Sequence, residues 1–153
     1  MNNLLILDTD AASVLAKAEL VNHILVLYSE SKIVITPKVE DELERPLDYG
    51  YKFPKKILQE KELYIKWFDQ IVIGKGELES IAVAKKRDGV FFTMDKIAAK
   101  VAKDKGVDIT AFDTIMKKML KSDIIDKEKA KKAIDKIQEK DNRKIDKKKI
   151  FSQ

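Results

Sequence analysis

Cysteine is absent from this chain and histidine occurs once, as His23. The first absence excludes disulfides, thiolate metal sites and cysteine nucleophiles, and the second excludes a multi-histidine metal centre. No apolar run approaches the roughly 18 residues that a membrane-spanning helix needs, so no membrane association is expected. The opening MNNLLILDTD has no basic stretch ahead of its apolar run, so no secretory leader is expected and the protein is placed in the cytoplasm. Five glycines and three prolines in 153 residues leave few breakpoints. Chemistry must come from carboxylates, Lys, Arg and hydroxyls.

What is present describes one soluble globular domain: 44% hydrophobic residues exclude full disorder, and the length suits a single core. The domain is expected over residues 1–139, followed by a Lys-rich tail over 140–153. That tail carries six basic and two acidic side chains, most of the chain's net charge of +5. It reads as a solvated, partly disordered end, or alternatively as an electrostatic clamp on nucleic-acid phosphates. Lys far outnumbers Arg, and Asn and Gln are scarce, a pattern that recurs in heat-adapted proteins.

Along the chain, short apolar runs alternate with helical periodicity. Leu4–Leu7, Lys32–Ile35, Val90–Thr93 and Val107–Thr110 read as buried strands. Helices are expected to about Leu20 with Thr9 or Asp10 as the cap, over 21–29, from Lys38 to Arg45 with a stop at Pro46, and over Pro54–Glu60. Further helices are expected over 77–87 after the Gly74-Lys75-Gly76 break, over 96–105 with Gly106 behind it, and over 113–121 and 126–139. Residues 63–73 read as strand pieces. The fold class is α/β, a three-layer α/β/α arrangement with a central, mostly parallel sheet. In such sheets the functional crevice lies at the carboxyl ends of the strands, where the topology reverses.

Two strands deliver an acid there, Asp8 after LLIL and Asp95 after VFFTM. Either one alone reads more readily as a turn former or helix cap. Glu42 borders the apolar positions Val39 and Leu43. Glu77 starts the helix after Gly76 and shares a side with Ile81 and Ala84, whereas Glu79 is expected to point away. Converging carboxylates repel one another unless a cation neutralises them, and oxygen-only ligands suit Mg²⁺ or Mn²⁺. Such acid clusters activate water for phosphodiester hydrolysis. The Gly-Lys-Gly-Glu run is not a phosphate-binding P-loop, because the G-x-x-x-x-G-K-[ST] spacing is missing.

The segments LLILDTD, ITPKVEDEL, GKGELESIAVAKK and FFTMDKIAAKVAKDKGVDIT, in that order, resemble a PIN domain, in particular the prokaryotic branch with a Gly-x-Gly-Glu motif. The resemblance spans roughly residues 3–121. It implies a PIN-like fold, a metal-dependent ribonuclease that prefers single-stranded RNA, and Asp8, Glu42, Glu77 and Asp95 as catalytic metal ligands. Asp10 and Asp113 are supplementary ligand candidates. Thr9 and Thr93 are expected to hold carboxylates by hydrogen bonds, and Lys75 and Lys96 to sit near substrate phosphates. Tyr49, Tyr51, Phe53 and Trp67 are candidates for base stacking, although packing is the more ordinary role for each. A homodimer is expected by resemblance only. Two rival readings remain open: a catalytically weak PIN-like module that binds RNA or protein, and the toxin nuclease of a toxin–antitoxin pair, which would bring an antitoxin partner. The length of the chain weighs against the toxin.

Overall fold

The computed structural model describes residues 4–48, 58–59, 75–141 and 143–151. Five parallel strands form the sheet: β1 (Leu4–Leu7), β2 (Lys32–Ile35), β3 (Leu58–Gln59), β4 (Val90–Phe92) and β5 (Asp108–Thr110), in the spatial order β3-β2-β1-β4-β5. Around them run α1 (Thr9–Lys17), α2 (Val21–Leu27), α3 (Pro37–Asp48), α4 (Lys75–Arg87), α5 (Lys96–Asp104), α6 (Phe112–Lys121), α7 (Lys127–Asp141) and α8 (Lys147–Phe151). The chain starts at the middle of the sheet, builds outward through β2 and β3, then returns to the other side of β1 with β4. The reversal point therefore lies between β1 and β4, where Ile6 pairs with Phe91 and Leu7 with Phe92.

Alternate strand residues feed two cores, as the period of two requires. Leu5, Leu7, Ile33, Ile35 and Phe92 pack with apolar residues of α1, α2, α3, α6, α7 and α8. Ile6, Val34 and Phe91 pack on the opposite face with Ile81, Ala84, Ala98 and Ala102 of α4 and α5. Both faces of the central strands are thus covered, which is why these strands are continuously apolar. The three-layer α/β/α architecture expected from the sequence is the one observed.

Four local expectations differ. Leu58–Gln59, expected within a short helix, pairs in parallel with Val34 and Ile35: a seven-residue segment is too short to be a stable helix of its own, and the open edge of β2 offers its backbone a ladder. Helix α3 passes the expected stop at Pro46 and ends two residues later at Asp48, close enough to its C-terminus that the N–H missing at the proline costs only the last turn. Helix α4 begins at Lys75, so Gly76 is a first-turn helical residue and not a break. The C-terminal stretch is not a free arm. Ile150 is buried in the core that also holds Ile134 and Met119, with Ile145 and Phe151 packed against it. The expectations for 49–53 and 63–73 lie outside the described residues.

Helices here stop without glycine in three places. Glu19, Asp88 and Asp123 carry positive φ of 58°, 52° and 56° just after α1, α4 and α6, the left-handed position that usually takes glycine. Among the described residues no helix is long and apolar enough to cross a membrane.

Candidate metal-binding crevice

Each of the two strands at the reversal point ends in a residue that caps the next helix. Asp8 follows β1 in extended conformation, and its Oδ1 accepts from the Ala11 backbone N–H at 2.8 Å, closing the N-terminus of α1. Asp95 caps α5 in the same way, its Oδ1 accepting from Ile97 N–H at 2.8 Å. Capping occupies Oδ1 of each carboxylate. The cap of α1 was expected at Thr9 or Asp10; it is Asp8, because the chain turns into the helix directly at the strand end.

Thr93 joins the two acids. Its hydroxyl donates to Asp8 Oδ2, and its Oγ1 accepts the Asp95 backbone N–H at 3.0 Å. Asp8 is fully buried, and burial pushes its carboxyl up to about 7, against the lowering effect of the bonds from Thr93 and Ala11. Glu77 and Asp10 push it in the same direction by charge repulsion.

Helices α3 and α4 bring two glutamates to this end of the sheet. Glu42 lies exposed on α3, and Thr9 donates its hydroxyl proton to Glu42 Oε2 at 2.8 Å. Glu77, in the first turn of α4, is half-buried. Its carboxyl is raised, first by burial and then by the charges of Asp10, Glu42 and Asp95. One residue thus feels three other acids, which locates all of them on a single electrostatic neighbourhood.

Small groups make that gathering sterically feasible. A Cβ on Gly76 would stand 2.8 Å from Glu42 Oε1 and 3.0 Å from Thr9 Oγ1. Ser80, fully buried, donates to the Gly76 carbonyl at 2.8 Å and fixes the start of α4. Sequence reasoning missed Ser80, although a lone hydroxyl within the run ESIAVA is a visible signal. Glu79 was expected to point away from the site; its Oε2 instead accepts the Lys38 N–H at 3.0 Å and caps α3. The wheel angle was sound, but the N-terminus of a neighbouring helix lies on that side.

The remaining candidates separate. Asp10 is exposed, with the Arg143 guanidinium 3.8 Å from its Oδ2. Asp113 lies in the first turn of α6 and, with Asp95 and Lys96, lines a cleft beside the acidic crevice. The side chain of Lys75 lies outside the described set, as do Tyr49, Tyr51, Phe53 and Trp67.

The donor chemistry fits a hard divalent cation: every candidate is a carboxylate, and two of them carry raised protonation that a neighbouring cation would reverse. Among the described residues no three acids already enclose a common point. Glu42, exposed, and Glu77, half-exposed, are the side chains with freedom to turn inward.

The DUF3368 family model, described as a PIN domain, matches residues 4–150. The chain belongs to the PIN-domain family. PIN domains are generally nucleases that use divalent metals. The match includes the C-terminal segment, which extends the likeness beyond the residues whose motifs carry it in the sequence. No curated protein is similar enough in sequence to match this PIN domain. Among solved structures, a PilT N-terminus domain protein from the hyperthermophilic archaeon Sulfolobus solfataricus is similar, with 16% identity and a TM-score of 0.50 over 73% of this chain and 89% of that one. At that identity the likeness is one of fold.

Proposed function

We propose that this PIN domain is a divalent-metal-dependent endoribonuclease that hydrolyses phosphodiester bonds of single-stranded RNA, with Asp8, Glu42, Glu77 and Asp95 as its catalytic acids. The observation that supports it most is electrostatic: burial and mutual repulsion raise Asp8 and Glu77 at the one crevice where the sheet reverses. Protein folds do not keep such a cluster without a compensating cation or proton.

In this reading Asp8 and Asp95 form the fixed side of the site, each held by a helix cap and by Thr93, while Glu42 and Glu77 close on it from α3 and α4. When bound, Mg²⁺ or Mn²⁺ supplies a polarised water and neutralises charge on the phosphodiester. Thr93 holds the buried Asp8, while exposed Glu42 is kept by one bond from the Thr9 hydroxyl, which it gives up as it turns inward. Asp10 adds negative charge at the rim. Cytoplasmic location and a homodimer belong to the same proposal. A short fluorescent single-stranded RNA, incubated with Mn²⁺, Mg²⁺ or EDTA, tests it: cutting that needs metal supports the nuclease, and intact RNA with folded protein in every condition contradicts it.

A further inference from the structure

Next to the acidic crevice lies a cleft of about 330 Å³, which shares Thr93 and Asp95 with it. Its floor is apolar, made by Met94, Ala99, Ile109, Phe112 and Ile145. Its rim carries Lys96 at the start of α5 and Lys144 and Lys149 from the C-terminal segment. All three lysines are exposed and none has a hydrogen-bond or ion-pair partner among the described residues. Three aspartates also line the cleft, but Asp95 and Asp146 each commit an oxygen to a backbone N–H, of Ile97 and Lys148 respectively. The segment is tethered on both sides. Arg143 approaches Asp10 at the mouth of the crevice, and Ile150 is buried in the core.

Resting on the nuclease reading above, we propose that this cleft is the binding subsite for one unpaired nucleotide flanking the scissile phosphate, with residues 143–149 as its outer wall. The volume is at the lower end of the roughly 300–1,000 Å³ typical of ligand sites, enough for one nucleotide unit and too small for a paired one. The base lies on the apolar floor, and Lys96, Lys144 and Lys149 take the adjoining phosphates. A base can reach that floor only when it is out of a duplex, so the cleft supplies a physical reason for preferring single strands. The Lys-rich C-terminus is then part of the substrate site, held there by Arg143 and Ile150, and not a general polyanion arm.

The test is binding of a short single-stranded RNA in EDTA by fluorescence anisotropy across a salt series, with K144A/K149A, A99F and the control K127A/K132A. In K144A/K149A the affinity falls on the order of tenfold, and the salt slope falls by about 1.4, the contribution of two single-strand phosphate contacts. A99F fills the floor without changing charge and weakens binding with the slope unchanged. The control leaves both unaltered, and thermal melts confirm that each variant is folded. An unchanged affinity and slope in K144A/K149A, an equal loss in the control, or no binding by wild type overturns the proposal. Lysine-dependent binding by a wild type that never cuts would keep the subsite and remove the nuclease; cutting with an unaltered double variant would do the reverse.

Discussion

Gly76 and Glu42 stand so close that a single added methyl on the first would fall 2.8 Å from Oε1 of the second. The same methyl would meet Thr9 Oγ1, the hydroxyl that holds Glu42 in place. Gly76→Ala therefore separates stability from function. The first turn of α4 gains up to about 0.5–1 kcal/mol from a better helix former, while the Glu42 carboxylate, exposed and able to swing, is displaced. The expected result is an unchanged or slightly raised melting temperature with at least tenfold weaker Mn²⁺ binding by calorimetry. Equal metal affinity in the folded variant would remove Glu42 from the site.

Asp8 sets a pH dependence of stability whose sign follows from its environment. Its carboxyl is raised in the fold from 3.8 to about 7, so the folded state holds a proton that the unfolded chain has released. The stabilisation that Asp8 contributes is full below about pH 4, is lost as pH rises towards 7, and is absent beyond. The shift corresponds to roughly 4 kcal/mol. Urea titrations of metal-free protein across that window should show this decline, and Asp8→Asn should flatten it and raise stability at neutral pH. A wild-type profile that climbs from pH 4 to 7 contradicts the burial argument.

Glu79 is expected to act on the fold alone. Its carboxylate caps α3 through Lys38 N–H, so Glu79→Ala should cost about 1 kcal/mol of unfolding free energy in urea titrations. Because α3 carries Glu42, metal affinity should fall no more than a few-fold. A loss as large as that of a Glu77→Gln variant would mean that Glu79 is itself a ligand.

Ile150 carries the anchoring of the C-terminus. It is 3% exposed, and Ile150→Ala should destabilise the domain by about 2–4 kcal/mol. A change under about 0.5 kcal/mol, read from chemical denaturation, would mean that the segment is a solvated tail after all.

The parts of this fold that were legible in the sequence are those governed by local pattern. Runs such as Leu4–Leu7 and Val90–Phe92 read as strands covered on both faces, and the acids behind them follow from where such strands end. What escaped depends on neighbours far along the chain. Leu58–Gln59 is a strand because the edge of β2 is open, and Glu79 turns to an N-terminus 41 residues away in sequence. Gly76 looks like a chain break until Glu42 is seen against it. The C-terminus looks like a charged tail because Ile145, Ile150 and Phe151 are only three apolar side chains among lysines, and nothing local shows the surface they cover. Asp8 and Asp95 are helix caps as well as candidate ligands, and each commits only its Oδ1 to the cap.

The acids between β1 and β4 are proposed to work together with a divalent ion. The most direct test compares wild type, Asp8→Asn and Asp95→Asn at matched purity on one single-stranded RNA with Mn²⁺, each with a parallel EDTA control. Metal-dependent cleavage by wild type, reduced at least about a hundredfold in both folded variants, is the predicted result. Cleavage that persists in either variant, or that survives EDTA, would place the chemistry elsewhere in the molecule.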